Sequence, residues 1–259
     1  MSQKNDIILD VRGLSKTYIS QSRLFQKNEE VHAVKEISFT IQEGEVLGIV
    51  GESGCGKSTT ARMIAGLHQA SSGTISYQNQ ALLGLHPEIQ MIFQDPYNSL
   101  NPRMTMAEII SEPLINFGIC KRKEALYKSM ELMENVGLDI SMLYRYPHEF
   151  SGGQRQRIGI ARALAPQPKL LICDEPVSAL DVSVQAQILN LLENLKEDLH
   201  LTILFISHDL SVIRHISDRV LVMNQGEIVE SGDVDEVGLD VGYKVAKLLE
   251  KAYGERMKV

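Results

Sequence analysis

The stretch that most constrains how this chain can fold is Gly51-Glu52-Ser53-Gly54-Cys55-Gly56-Lys57-Ser58-Thr59. It follows an apolar run at 46–50 and precedes a helix-like run at 59–65. A strand, a Gly-x-x-x-x-Gly-Lys-Ser loop and a helix form a phosphate-binding loop, because glycines let backbone N–H groups approach an anion and the helix adds its positive end. We therefore expect these residues to hold a nucleoside triphosphate, with Lys57 at the β- and γ-phosphates and Ser58 on Mg²⁺. The alternative is a glycine-rich turn with an exposed lysine.

A second apolar run, residues 170–173, ends in the acidic pair Asp174 and Glu175. The carboxyl end of a parallel strand is where α/β folds place their ligands. We expect Asp174 to hold Mg²⁺, directly or through water, and Glu175 to accept a proton from an attacking water. The alternative is an ordinary strand end followed by a polar turn.

A third signal is the glycine turn Ser151-Gly152-Gly153-Gln154, which leads into a helix-like run at 158–164. It predicts a second anion site at a helix N-terminus. The chain therefore offers two phosphate-recognising elements that lie far apart in the sequence. A P-loop kinase has no need of the second one.

Apolar strands alternate with helical segments, which indicates an α/β fold with a parallel sheet covered on both faces. The pattern predicts strands at 7–19 (ending near 16–18), 31–34, 37–41, 46–50, 74–77, 88–93, 169–173, 202–206, 220–222 and 227–229, and helices at 59–65, 183–199 and 210–216. Residues 96–162 are interpreted as a helical subdomain inserted into a core formed by 1–95 and 163–235. Residues 21–30 are predicted to form a loop and 236–259 a C-terminal helix, all within a single domain.

Composition narrows the class of protein. The net charge of −7 argues against a global basic surface for nucleic acid. No apolar run approaches the roughly 20 residues of a membrane span, and the N-terminus has no signal-peptide core. Cys55, Cys120 and Cys173 are scattered without metal-ligand spacing, which suits a reducing cytosol. We expect a soluble, cytoplasmic protein.

Together these motifs resemble those of ABC-type ATPase subunits, and the resemblance covers residues 7–233. The three stretches above resemble the Walker A, Walker B and signature motifs of that family. Four further features resemble its remaining motifs in family order: the adenine-stacking aromatic at Tyr18, the Q-loop glutamine at Gln94, the D-loop at Ser178-Ala179-Leu180-Asp181 and the switch histidine at His208.

The resemblance implies a P-loop NTPase (RecA-like) parallel sheet core, with an N-terminal antiparallel β subdomain and an inserted helical signature subdomain. It also implies that two subunits dimerise head to tail and hold ATP between the Walker A motif of one and the signature motif of the other. Ser151, Gly152, Gly153 and Gln154 would then contact the nucleotide bound by the partner. Asp181 would help the two sites communicate.

Gln94 and His208 gain a role from this resemblance. Each follows a predicted core strand, where the γ-phosphate is expected, so both are assigned to catalysis and Gln94 also to Mg²⁺. As lone residues they would be a strand-end amide and a polar loop histidine. Tyr18 would stack on adenine, with core packing as the alternative. The remaining histidines are expected to be surface or packing residues: His32, His68, His86, His148, His200 and His215.

Residues 93–104, Phe-Gln-Asp-Pro-Tyr-Asn-Ser-Leu-Asn-Pro-Arg-Met, resemble the segment after the Q-loop in importer ATPases of the oligopeptide, dipeptide and nickel group. Within this segment, Asn-Pro-Arg-Met at 101–104 is similar to the sequence of the second of the two ATPase subunits in such importers. The resemblance implies a peripheral subunit on the cytoplasmic face of the cell membrane. Its partners would be two transmembrane permease subunits, a second, non-identical ABC ATPase subunit and an extracytoplasmic solute-binding protein, and not nucleic acid.

The cargo stays open among peptides, nickel and metal–chelator complexes. The C-terminus departs from the group, and no cysteine follows Cys173, so we expect no iron–sulfur cluster. One rival is a non-transport ABC ATPase of translation or DNA repair. Such proteins usually carry two cassettes or long coiled coils, and this sequence shows neither. The other rival is a nucleotide sensor without turnover, against which Glu175 and His208 argue.

For Cys55 we form the hypothesis that the pKa of its thiol is lowered. It lies among the phosphate-facing amides beside a helix N-terminus, where the pKa of a thiol tends to fall. The alternative is a tolerated small residue at a variable position.

Overall fold

The computed structural model describes residues 6–20 and 29–237. Most of the predicted loop at 21–30 and nearly all of the predicted C-terminal helix at 236–259 lie outside these described residues. The strands are β1 (Ile7–Ser20), β2 (Glu29–Gln42), β3 (Val46–Gly51), β4 (Ser72–Tyr77), β5 (Gln80–Ala81), β6 (Ile89–Ile92), β7 (Leu170–Asp174), β8 (Thr202–Ser207), β9 (Arg219–Asn224) and β10 (Glu227–Asp233).

The helices are α1 (Lys57–Ile64), α2 (Met106–Asn116), α3 (Arg122–Asn135), α4 (Gly152–Leu164), α5 (Val182–Leu199), α6 (Leu210–Ile216) and α7 (Val234–Val237), with 3₁₀ turns at Ile140–Met142 and Pro147–Glu149. Within the described ranges, none of them is long and apolar enough to cross a membrane. The chain divides into two compact units. Of the described residues, the β-rich unit comprises 6–20, 29–64, 68–82 and 205–237, and the helical unit comprises 65–67 and 83–204.

In the β-rich unit, an antiparallel sheet has the strand order β2-β1-β4-β5. A second group of strands has the order β10-β9-β3. Strands β3 and β9 are parallel, with Gly51 opposite Met223, and β3 is buried along its whole length. Because both faces of β3 are covered, its side chains can all be apolar, as the run at 46–50 indicates.

Strand β2 differs from the prediction of two strands at 31–34 and 37–41. The structure shows one continuous strand. Glu36 has a left-handed φ of 48°, and its N–H donates to Ser15 Oγ at 2.9 Å. The chain therefore bulges at Glu36 without ending the strand, so the predicted break is wrong.

In the helical unit, β6 and β7 are parallel, with Ile92 opposite Cys173. Helices dominate residues 106–164, as the sequence indicates. Helix α2 begins with a capping box, in which Thr105 Oγ1 accepts from the N–H of Glu108 and Glu108 Oε2 accepts from the N–H of Thr105. Strand β7 is buried throughout and ends at Asp174.

Candidate active site

The phosphate loop lies in the β-rich unit between β3 and α1. Gly54 and Gly56 have φ values of +82° and +109°, which L side chains rarely adopt. A Cβ on Gly56 would also overlap the carbonyl oxygen of Ala33, and one on Gly51 would overlap that of Met223. The backbone therefore requires glycine at these positions.

Lys57 is 4% exposed and folds back over the loop. Its Nζ donates to the carbonyl oxygens of Gly51 and Glu52, both at 2.8 Å. Ser58 and Thr59 follow in the first turn of α1, and both are half-buried. The loop thus places an ammonium group beside the N–H donors of a helix N-terminus, which is a strong anion-binding arrangement.

Cys55 corrects the hypothesis of a lowered thiol pKa. Its side chain is 5% exposed, and burial raises the pKa of the thiol above its ordinary value. The ammonium of Lys57, 3.9 Å from Cys55 Sγ, opposes that shift but does not cancel it. The hypothesis took account of the helix end and missed the burial.

Tyr18 is 38% exposed near the end of β1, and is not part of the core. Its hydroxyl shares a hydrogen bond of 2.9 Å with Nδ1 of His68, and the two rings meet edge to face. Lys16 Nζ lies 5.1 Å from the centre of the Tyr18 ring. An aromatic face held at a surface can stack on a planar ligand.

His208 is exposed and follows β8, whose residues are all buried. The next residue, Asp209, begins α6 by accepting from Ser211 Oγ at 2.6 Å and from the N–H of Ser211 at 2.8 Å. These bonds lower the pKa of Asp209. His208 is therefore held between a buried strand and a capped helix.

In the helical unit, strand register brings Gln94 and Glu175 together. Both lie two positions beyond the paired residues Ile92 and Cys173. Gln94 Nε2 donates to Glu175 Oε2 at 2.9 Å, and Glu175 has a left-handed φ of 47°. Asp174, at the end of β7, is 1% exposed. The sequence predicted both residues at strand ends but not their direct bond.

The signature motif begins α4 with a capping box. Ser151 Oγ accepts from the N–H of Gln154 at 3.3 Å, and Gln154 Oε1 accepts from the N–H of Ser151 at 3.0 Å. Gly153 lies against Val184 of α5, since a Cβ on this glycine would come within 2.5 Å of Val184 Cγ1. The motif is thus packed on the helix that follows the D-loop.

Asp181 begins α5. Its Oδ1 accepts from Ser183 Oγ at 2.7 Å and from the N–H of Val184 at 3.0 Å. These hydrogen bonds, that of Ser183 first, lower the pKa of Asp181. Ser178 Oγ also donates to the carbonyl oxygen of Glu175 at 3.1 Å. The D-loop is therefore bonded to the acidic pair at one end and to α5 at the other.

The predicted site residues divide between the two units. The β-rich unit contains Tyr18, residues 51–59 and His208, and the helical unit contains Gln94, Asp174, Glu175, residues 151–154 and Asp181. Sequence reasoning missed the contacts of His68, Tyr97 and Val184. These contacts join residues far apart in the chain, and no local pattern marks them.

Comparisons with known proteins agree with this set of motifs. The sequence pattern of the ABC transporter family matches residues 34–178, more than half of the chain. The oligopeptide transport ATP-binding protein AppF of Bacillus subtilis (strain 168) is 52% identical over 235 residues, which cover 87% of this chain and 71% of that protein. The oligopeptide transport ATP-binding protein OppF of Escherichia coli (strain K12) is 54% identical over 222 residues, covering 82% of this chain and 66% of that protein.

A solved structure is similar over most of the chain. It is the dimeric, post-hydrolysis state of the ATP-binding cassette MJ0796 bound to ADP and Pi, with 30% identity and a TM-score of 0.74. The match covers 87% of this chain and 98% of the cassette. The similarity confirms the predicted P-loop NTPase fold class.

Proposed function

The chain belongs to the ABC transporter family as an ATP-binding and ATP-hydrolysing subunit, and on that premise we propose that it energises the import of oligopeptides from the cytoplasmic face of the membrane. Both relatives described above are named for oligopeptide transport. Peptides are therefore the cargo we favour over nickel and metal–chelator complexes. Two observations, each within one unit, support the proposal: a glycine-constrained phosphate loop in the β-rich unit, and a strand-end carboxylate hydrogen-bonded to an amide in the helical unit.

In this proposal the phosphate loop holds ATP. Residues 51–59 supply backbone donors, Lys57 neutralises the β- and γ-phosphates, and the ring of Tyr18 stacks on adenine. Lys57 already faces two carbonyl oxygens, so phosphate oxygens would replace or share those partners.

Each residue assigned to Mg²⁺ offers a hard oxygen ligand of the kind that this ion prefers. The β-rich unit contains the hydroxyl of Ser58, and the helical unit contains the carboxylate of Asp174 and the amide oxygen of Gln94. Asp174 is nearly fully buried, and a cation stabilises a buried carboxylate. Bound Mg²⁺ would neutralise charge on the phosphates. Within residues 6–20 and 29–237, no group of three or more His, Cys, Asp or Glu could hold a metal.

Glu175 is the proposed general base. Its carboxylate accepts the amide hydrogen of Gln94 through Oε2, so the amide fixes the carboxylate at the strand end. In this role the Glu175 carboxylate accepts a proton from the attacking water. His208 is the proposed γ-phosphate contact from the β-rich unit.

The signature motif would act on a nucleotide bound by another subunit. Ser151, Gly152, Gly153 and Gln154 open α4, where backbone N–H groups and the helix end favour an anion. Asp181 would report the state of one site to the other. The partner is proposed to be a related, non-identical ATPase subunit, with a solute-binding protein delivering the peptide outside the membrane.

A groove in the helical unit is the proposed docking place for a permease subunit. It encloses about 350 Å³ and is lined in part by Leu67, Leu85, Phe93, Glu112 and Arg162. Leu67 and Leu85 are 43% and 64% exposed. Burial lowers the pKa of the Arg162 guanidinium, and the charge of Glu112 opposes that shift. Exposed leucines beside a charged pair suit an amphipathic cytoplasmic segment of a membrane protein.

Leu85→Glu tests this docking. The variant should fail to co-purify with permease subunits from solubilised membranes while its ATP affinity stays unchanged. Leu83→Glu is the matched control, because Leu83 is 94% exposed and does not line the groove. Recovery of the protein with ribosomes or DNA instead of membranes would favour the translation or repair rivals.

Glu175→Gln tests the catalytic assignment. Removing a general base typically slows turnover by about 10²–10⁴-fold, and the amide keeps a hydrogen-bonding group in place. We expect hydrolysis to fall by that factor with ATP binding intact. Near-normal turnover in a phosphate-release assay would remove Glu175 from the role.

A further inference from the structure

Tyr97 lies outside the seven motifs and contacts one of them. It belongs to the segment 94–99, which connects the end of β6 toward α2. Its side chain is 56% exposed, and its hydroxyl would be 3.5 Å from a Cβ on Gly152 in the signature motif. Tyr97 is thus an exposed aromatic residue beside the signature motif.

The segment 94–99 is held in one conformation by its own hydrogen bonds. Asp95 Oδ1 accepts from the N–H groups of Tyr97 and Asn98 at 2.7 and 3.2 Å. Asp95 Oδ2 accepts from Asn98 Nδ2 at 2.6 Å. These three hydrogen bonds fix where Tyr97 is presented.

Both ends of this segment are also bonded to the helical unit. Gln94 donates to Glu175, as described above. At the other end, the carbonyl oxygen of Ser99 accepts from Arg162 Nη1 of α4 at 2.6 Å. The segment thus connects the carboxylate of Glu175 to the helix that the signature motif opens.

Tyr97 adds a contact at the beginning of that helix. The guanidinium carbon of Arg155 lies 4.2 Å from the centre of the Tyr97 ring, which is a cation–π distance. Gly152 and Arg155 are three residues apart and share one face of α4, so the ring contacts both. Arg155 Nε also donates to the carbonyl oxygen of Pro147 at 2.8 Å. The stack therefore joins the segment 94–99, the turn before the motif and the first turn of α4.

We propose that Tyr97 is a positioning residue, which through its stack on Arg155 fixes the signature motif relative to the Gln94–Glu175 pair. A subunit would then present its motif to the partner's nucleotide in a geometry tied to its own catalytic carboxylate. The ring supplies the contact, and the hydroxyl is secondary. The role toward the partner rests on the proposed function, whereas the contact within the chain does not.

Hydrogen–deuterium exchange of the full chain tests the contact itself. In Tyr97→Leu, the amides of residues 154–158 should exchange about tenfold faster, because the leucine cannot hold the guanidinium. Tyr97→Phe should exchange like the parent protein. Tyr127→Leu is the matched control, since Tyr127 is 61% exposed in the same unit. Unchanged exchange in Tyr97→Leu would overturn the proposal whatever the protein transports.

Steady-state ATPase kinetics test the role in the reaction. Tyr97→Leu should lower kcat about tenfold and leave the affinity for a fluorescent ATP analogue unchanged. The kcat of Tyr97→Phe should stay within about twofold of the parent value. A general loss of structure would instead lower the analogue affinity and the melting temperature together. Equal kcat in Tyr97→Leu and the parent would overturn the proposal, and so would failure of phenylalanine to restore it. Failure of the proposed function would appear separately, as normal turnover in Glu175→Gln.

Discussion

Two glycine-containing turns lead into helix N-termini, one in each unit, and their glycines are required for different reasons. In the phosphate loop the requirement comes from the backbone. Gly56 has a φ of +109°, and a side chain there would overlap the carbonyl oxygen of Ala33. Ala33 lies in strand β2, whose backbone cannot turn aside as a side chain can, so a side chain at Gly56 would force the backbone to shift.

In the signature motif a neighbouring side chain constrains Gly153, whereas a side chain at Gly152 would make only ordinary van der Waals contacts. Gly152 and Gly153 lie in the helix α4, where any residue has a suitable φ. Their neighbours are the side chains of Leu180, Tyr97 and Val184, which can change rotamer. The comparison suggests a fixed binding loop in one unit and an adjustable contact surface in the other.

Gly56→Ala should abolish ATP binding and lower the free energy of unfolding by about 3 kcal/mol, because it combines an unfavourable φ with a backbone overlap. Chemical denaturation and titration with a fluorescent ATP analogue measure the two effects. Gly118→Ala is the control, since Gly118 has a φ of +68° with nothing within 4 Å of the added Cβ. It should cost only about 1 kcal/mol. Equal costs for the two variants would show that the Ala33 contact is unimportant.

Gly153→Ala should lower the free energy of unfolding by about 1–3 kcal/mol through crowding against Val184. The double variant Gly153→Ala/Val184→Ala should recover most of that loss, because the overlapping methyl group is gone. Denaturation of the two single variants and the double variant provides the cycle. If the loss of unfolding free energy in the double variant equals the sum of the losses in the two single variants, then the backbone, and not packing against Val184, excludes alanine at Gly153.

Gly152→Ala should change the free energy of unfolding by less than about 0.5 kcal/mol, since its nearest neighbours would be 3.4 and 3.5 Å away. Hydrolysis with the partner subunit should nevertheless fall at least about tenfold, because the proposed role brings these N–H groups close to a phosphate. ATP affinity of the single chain should not change. A large loss of stability would contradict the distinction between the two turns.

The alkylation rate of Cys55 tests whether the phosphate loop is closed to solvent. The change expected in this rate is the smallest of the effects. Burial raises the pKa of its thiol, so less thiolate is present at pH 8 than for an ordinary cysteine, and alkylation should be slow. Its rate should keep rising with pH above the ordinary thiol pKa, where the rate of an ordinary cysteine levels off. Mass spectrometry after iodoacetamide treatment should find the half-buried Cys120 modified first. Faster labelling of Cys55 at pH 7 would indicate an open loop.

Local sequence predicted the phosphate loop, the acidic strand end and the signature turn, because glycine spacing and apolar runs are local signals. It also placed Gln94 and Glu175 at strand ends. The parallel register of β6 and β7 then brings these two residues together. The bulge at Glu36 could not be predicted, because no local sequence pattern indicates a left-handed φ at a glutamate. The bond between Tyr18 and His68 and the stack of Tyr97 on Arg155 join residues 50 and 58 positions apart, which only the folded chain brings into contact.

The central claim is that the phosphate loop is half of a site and that a second subunit completes it. Sedimentation of the Glu175→Gln chain, mixed with the ATPase subunit proposed as its partner, tests this claim directly. With Mg²⁺ and ATP we expect a complex of two ATPase subunits, and Gly152→Asp should abolish that complex while this chain still binds ATP. A chain that stays monomeric with ATP bound, in the presence of the partner, would contradict the account.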